Sequence, residues 1–152
     1  MAKLKNKKII LVALALLIFI GIIIFINKTK TLECSKKVNN KIYKEDINIS
    51  IKYNKKIKEY YIKEDYSYNE GYMDNLVDAF DNKEIYLNNI SKIDGVLTNI
   101  NQDGYQYSYN ISITLDKVNK KDYTLLDIDD VMKLDKLNSI KKYYEELGYS
   151  CK

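Results

Sequence analysis

Residues 103–115 read DGYQYSYNISITL and carry the clearest secondary-structure pattern in the chain. Apolar or aromatic side chains occupy every second position, and short polar ones occupy the positions between. This period of two predicts a strand with one face on a core and the other in water. The pair Asp103-Gly104 in front of it is typical of a tight hairpin turn, which makes residues 96–101 the partner strand.

The same alternation appears earlier in the chain. Isoleucines alternate with polar residues over Ile47–Tyr53, and a second apolar face runs through Ile57–Tyr68. Asn54-Lys55 lies between them and favours a turn, since Asn tolerates a positive φ. A weaker strand is predicted over Lys37–Lys44. Two hairpins therefore build an antiparallel sheet.

Two segments change to the helical period. Tyr72, Leu76 and Phe80 are four residues apart, with Asn69 as the expected N-cap, and a second apolar stripe covers residues 137–147 before Gly148. Residues 84–93 suggest a further helical piece, and residues 116–136 carry no clear pattern. The fold class predicted is α+β, an antiparallel sheet with two or three helices packed on one face.

An apolar run precedes this domain. Ile9–Ile26 contains no charged or polar side chain. This apolar run is long enough for a transmembrane helix. Lysines at positions 3, 5, 7 and 8 favour a cytoplasmic N-terminus. We therefore expect a basic tail (1–8), a membrane helix (9–26) in contact with the lipid bilayer, a linker (27–33) and an extracytoplasmic domain (34–152) of a single-pass protein in the cell membrane.

Composition restricts the function. The chain has no His, Trp, Pro or Arg, and residues 34–152 carry 19 Lys against 20 acidic residues. A nearly neutral domain lacks the basic surface of a nucleic-acid-binding protein. Without His, a His-based triad or zinc site is excluded, and five glycines form no phosphate-binding loop. We expect no enzyme, no cofactor and no metal, although Ser–Lys or paired-carboxylate chemistry remains open.

The two cysteines lie at the ends of the predicted domain. Outside the cytoplasm, Cys34 and Cys151 are expected to form a disulfide. Two unpaired thiols are the alternative. Lipidation of Cys34 is a further one, but Leu32-Glu33 before it departs from the small residues that a lipobox requires.

Two clusters remain as candidate sites. Tyr105, Tyr107 and Tyr109 form a stripe that is either a ligand surface or part of the core. The acidic cluster of Asp127, Asp129 and Asp130 lacks the Gly and the distal Glu of a calcium loop, so a solvated turn is expected there.

The two Cys-containing ends, Leu32–Ser35 and Gly148–Lys152, together with the apolar anchor, resemble short membrane-anchored proteins of low-GC Gram-positive bacteria. The pattern of residues 32–152 is also similar to the YehR-type family of small lipoproteins. This resemblance implies an antiparallel sheet with helices and an envelope location, and it implies no mechanism.

These observations predict a non-enzymatic binding module of the cell envelope, whose partner is an envelope protein or a cell-wall component. The alternative is an accessory subunit of a membrane complex that acts through its transmembrane helix.

Overall fold

The computed structural model describes residues 28–152 and the single position Leu17. The predicted membrane helix, residues 9–26, and the basic tail before it otherwise lie outside the described residues. Within the part of the chain that is described, no helix has the length and apolar character needed to cross a membrane.

The domain is α+β, as predicted, with one six-stranded sheet that is antiparallel throughout. In chain order its strands are β1 (Lys30–Asn39), β2 (Tyr43–Asn54), β3 (Lys56–Tyr68), β4 (Val96–Asp103), β5 (Gln106–Thr114) and β6 (Ser150–Cys151). Their spatial order is β4-β5-β3-β2-β1-β6, so β4 and the two-residue β6 form the edges.

Within residues 28–152, three α-helices accompany the sheet: α1 (Met73–Ile90), α2 (Asp129–Met132) and α3 (Leu137–Glu146), with a 3-10 turn at Lys120–Asp122. Phe80 and Lys83 of α1 contact the rings of Tyr107 and Tyr109, and Tyr144 of α3 contacts the phenol of Tyr60. The register places these partners on one face of the sheet. Both long helices therefore pack on the same face, as the sequence predicts.

The core lies between that face and the helices. Fully buried side chains come from both layers: Ile51, Leu76, Leu87, Ile90, Ile113, Ile128 and Ile140. The opposite face of the sheet carries mostly Ser, Asn, Lys and acidic side chains, with Tyr61 and Leu97 as exposed exceptions. This arrangement is the one-sided burial that the alternation in β2 and β5 predicts.

The predicted boundaries differ from the structure at the first strand. Residues 30–33, expected to be linker, belong to β1, and the weaker strand predicted at Lys37–Lys44 is instead interrupted by a turn at Asn40. The physical reason is Leu32, which is 4 % exposed and pairs with Ile51 of β2. Because the Leu32 side chain is buried, the polar residues beside it also pair with β2 and belong to the strand.

The first helix also differs. It runs without a break from Met73 to Ile90, so residues 84–90 continue α1 and form no separate piece. Burial of Leu87 and Ile90 extends the helix past the polar residues at its middle. Asn69 is not its N-cap; its side-chain amide donates to the Lys41 carbonyl, and Tyr72 stands at the cap position without a side-chain bond.

Candidate functional site

The helices leave part of the sheet uncovered above Ile62. This residue lies in β3, near the middle of the sheet, and points to the helix side between Ile49 and Ile111. Its two neighbours are each 4 % exposed, whereas Ile62 is only half-buried. A central-strand isoleucine that remains accessible marks a gap between α1 and α3. We call this opening the Ile62 pocket.

The Ile62 pocket has a volume of about 470 Å³, within the range of roughly 300–1,000 Å³ typical of small-ligand sites. Its floor is the helix-facing side of β2, β3 and β5, which presents isoleucine and tyrosine side chains together with Glu64. Lys83 and Tyr86 of α1 form one wall, and Tyr149, which follows α3, forms another. The third wall is the segment Thr124–Asp127.

That third wall is fixed by local hydrogen bonds. The Tyr86 phenol donates to the Leu125 carbonyl at 3.3 Å, and the Thr124 hydroxyl donates to Asp129 at 2.7 Å. Asp127 has a φ of 55°, a left-handed conformation that Asp tolerates better than most residues. This turn leaves Asp127 exposed at the rim of the Ile62 pocket.

A chain of hydrogen bonds runs along the floor. The Lys83 ammonium donates to the Tyr109 phenol oxygen at 2.8 Å, and that phenol in turn bonds to the Glu64 carboxylate. The Tyr66 hydroxyl lies 2.8 Å from Glu64 and 2.5 Å from Glu45, so its single proton is shared between two carboxylates. A lysine and two glutamates are thus linked through two tyrosines.

The electrostatics follow from this burial. Burial first, and then the nearby Glu64 charge, raise the pKa of the Tyr66 and Tyr109 phenols far above their usual value. Burial also raises the pKa of the Glu45 carboxyl, with Glu64 adding to the shift and the Tyr66 hydrogen bond opposing it. Both tyrosines therefore stay protonated at neutral pH and act as hydrogen-bond donors.

Glu64 can bind a positively charged group, and Lys83 can bind a negatively charged group. Among the described residues, no lysine ammonium lies within 4 Å of the Glu64 carboxylate. Lys83 makes its hydrogen bond to a neutral phenol and also lies 4.3 Å from the centroid of that ring. A carboxylate and an ammonium thus flank one phenol oxygen without neutralising each other directly.

The structure separates the three tyrosines of the predicted stripe. Tyr107 and Tyr109 are 4 % and 3 % exposed, and Tyr107 packs against Tyr66 with ring centroids 4.5 Å apart. Tyr105 is 43 % exposed in the hairpin turn. Tyr109 alone of the three reaches the Ile62 pocket.

The predicted cysteine pair is a disulfide in the structure. Cys34 of β1 and Cys151 of β6 are directly opposed, and the neighbouring residues Glu33 and Lys152 exchange backbone hydrogen bonds. The bond ties the end of the chain to the first strand. It lies at the edge of the sheet, where neither cysteine lines the Ile62 pocket but Ile49, opposite Cys34, and Tyr149, two residues before Cys151, do.

Sequence reasoning missed Glu64, Lys83 and Glu45. A usable signal exists for the glutamates, since Glu64 interrupts the apolar face formed by Tyr60, Ile62 and Tyr66. A charged residue on a core face needs a partner or an opening to solvent. The acidic cluster is spread out: Asp127 faces the pocket rim, while Asp129 and Asp130 lie in the first turn of α2. No three potential metal-ligating side chains converge among the described residues.

Comparisons with known proteins add a fold relationship. No protein-family model matches the chain, and no curated protein matches it. A solved structure, the NMR structure of the protein from Streptococcus pneumoniae TIGR4, has a similar fold with a TM-score of 0.56 and 13 % sequence identity. The match covers 83 % of this chain and 86 % of that one. At this identity the similarity establishes the α+β architecture alone.

Proposed function

We propose that this chain is a membrane-anchored, extracytoplasmic binding module without enzymatic activity, and that the Ile62 pocket receives a charged group of its partner in the cell envelope. The observation that carries the proposal is the arrangement of Glu64 and Lys83 on either side of the Tyr109 phenol, next to the accessible Ile62. Few convergent polar groups on an apolar surface are characteristic of binding sites.

The ring contacts favour recognition by charge over stacking. Lys83 lies 4.3 Å from the ring centroid of Tyr109 and 5.5 Å from that of Tyr86, and Lys36 lies 5.4 Å from that of Tyr149. Three of the aromatic rings that line the pocket, those of Tyr86, Tyr109 and Tyr149, thus have a lysine over one face. A sugar that stacks on these faces would have to displace an ammonium group.

A partner with both signs of charge fits the pocket. Lys83 offers donors to a carboxylate, while Glu64 and Asp127 offer acceptors to an ammonium group. The Ile62 floor accommodates a small apolar side chain. A short peptide end, carried by an envelope protein or by a cell-wall component, has these three features.

Protonation supports binding rather than catalysis. The raised pKa values of Tyr66 and Tyr109 keep both phenols protonated at neutral pH, so neither acts as a general base there. Without His in the chain, the ordinary general base near neutral pH is absent. The hydrogen-bonded phenols instead hold the two carboxylates in place.

A photo-crosslinking experiment in the producing cells tests the proposal. A photoreactive amino acid replaces Leu125, which is 51 % exposed at the pocket rim, or Leu97, which is 73 % exposed on the other face of the sheet. We expect an adduct from position 125 that disappears with Glu64→Gln or Lys83→Met, and none from position 97. Equal adducts from both positions, or an adduct insensitive to both substitutions, would refute the pocket as the binding site.

The uninterrupted apolar run Ile9–Ile26 supports a second candidate, an accessory subunit that acts through its membrane helix. Replacing this run with an unrelated membrane anchor separates the two. A binding module keeps its crosslink at position 125 in the exchanged protein. An accessory subunit loses its association with the complex although the domain is unchanged.

A further inference from the structure

A second pocket, lined by lysines, lies at one end of the sheet. Four exposed lysines surround a volume of about 440 Å³ together with Tyr53 and Leu137: Lys28, Lys30, Lys55 and Lys136. They come from three separate parts of the chain. Lys28 and Lys30 lie where the chain enters β1, Lys55 lies in the β2–β3 turn, and Lys136 is the residue before α3. We call this group the lysine cluster.

The lysine cluster lies at the end where the chain enters the domain. β1 begins at Lys30, so residues 27–29 alone separate it from the apolar run that ends at Ile26. An extended chain spans at most about 3.3–3.6 Å per residue. The start of β1 therefore lies within roughly 10–15 Å of Ile26. If residues 9–26 cross the membrane, the lysine cluster faces the lipid headgroups.

The charges of the lysine cluster are not neutralised within the domain. None of the four ammonium groups lies within 4 Å of a carboxylate among the described residues, although eight other lysines form such ion pairs. The acid adjacent in sequence is Asp135, whose backbone carbonyl accepts a hydrogen bond from the Tyr53 phenol. The domain as a whole is nearly neutral, so this positive patch is local.

We propose that the lysine cluster docks on anionic lipid headgroups of the bilayer that holds the anchor, and thereby fixes the domain upright with its lysine end on the membrane. Lysines near an anionic bilayer surface are attracted to it, and the attraction decays over a Debye length. The short connection limits how far the lysine cluster can lie from that surface. This inference rests on the membrane anchor of the proposed function.

The test uses the full chain in lipid nanodiscs that contain a gadolinium-labelled lipid headgroup. Discs of phosphatidylcholine are compared with discs that also contain phosphatidylglycerol, and line broadening of backbone amides is measured by NMR. We expect amides of residues 54–56 and 136–138 to broaden roughly twofold more in the phosphatidylglycerol discs, because their docked population rises. About 0.5 M NaCl should remove the difference.

Two charge-matched variants make the result specific. Lys55→Gln/Lys136→Gln should lose the phosphatidylglycerol effect, whereas Lys41→Gln/Lys44→Gln, at the opposite end of the sheet, should keep it. Equal broadening in both kinds of disc, or the same loss in both variants, would overturn docking. If inorganic phosphate shifts the same amides equally in phosphatidylcholine discs, the lysine cluster is a soluble-anion site and docking is also wrong. Failure of the chain to enter the discs would instead refute the anchor.

Discussion

Cys34 and Cys151 are bonded partners across the neighbouring strands β1 and β6, with Cα atoms 4.1 Å apart and a sequence separation of 117. β6 has two residues and pairs only with β1. The disulfide therefore closes the domain and holds the segment after α3 against the sheet, including Tyr149 at the wall of the Ile62 pocket.

We expect Cys34→Ser and Cys151→Ser each to destabilise the domain by about 2–5 kcal/mol, because a bridge of this span restricts the unfolded chain. Since both substitutions remove the same bond, the double variant should be no less stable than either single variant. Urea unfolding of the full chain in mild detergent measures this. Additive losses would show that the two cysteines stabilise the domain independently.

The buried phenols of Tyr60 and Tyr144 share a hydrogen bond between β3 and α3. Tyr144→Phe leaves the Tyr60 hydroxyl buried without this partner, and we expect a loss of about 1–3 kcal/mol. The double Phe variant should lose less than the sum of the two single variants. Tyr61 lies next to Tyr60 on the other face of the sheet and is 37 % exposed. Tyr61→Phe is therefore the control, and it should change stability by under about 0.5 kcal/mol. Additivity in the cycle would contradict the shared bond.

Glu45 should make stability depend on pH. Because burial raises its pKa in the folded state above the ordinary 4.5, the folded protein binds a proton more tightly than the unfolded chain. Glu45 therefore adds its full contribution to the free energy of unfolding when the pH is below the ordinary pKa. This contribution is lost as the pH rises through the pKa of the folded state. Glu45→Gln should flatten the decline in unfolding free energy between about pH 4 and pH 7, whereas Glu146→Gln should not. A steeper decline in Glu45→Gln would reverse the assigned sign.

The orientation in the membrane can be tested through the same cysteines. With the N-terminus in the cytoplasm, a membrane-impermeant thiol reagent applied to intact cells after reduction should label Cys151, which is half-buried in the folded domain. A Cys151→Ser control should lower the labelling. Labelling that requires lysis of the cells would place the domain in the cytoplasm.

Much of the sheet could be predicted because its two faces meet different environments. The alternation in β2, β3 and β5 and the Asp103-Gly104 turn reflect that difference directly. β1 and β6 were harder, since their pairing depends on one buried Leu32 and on a disulfide between the chain ends. β1 consists largely of polar residues and β6 has only two residues, so neither strand carries much pattern of its own.

The pocket could not be predicted because it depends on how the helices are spaced. Glu64 and Lys83 belong to different elements, and only the crossing of α1 over the sheet brings both to Tyr109. The tyrosine stripe predicted which face of the strand is apolar. It did not predict which of the three rings the helices cover. What the sequence does contain is a charged residue within an apolar face, at Glu45 and again at Glu64.

Binding of a partner group that carries both charges should change the NMR resonance of the Ile62 methyl group on the pocket floor. The full chain in detergent is titrated with the dipeptide Ala-Ala, with its N-acetyl and C-amide forms, and with N-acetylglucosamine, while the Leu97 methyl on the other face serves as reference. We predict a saturable shift of Ile62 with Ala-Ala alone, weakened roughly tenfold by Lys83→Met or Glu64→Gln. An unmoved Ile62 methyl, an equal response to the uncharged sugar, or unchanged binding by both variants would contradict the claim.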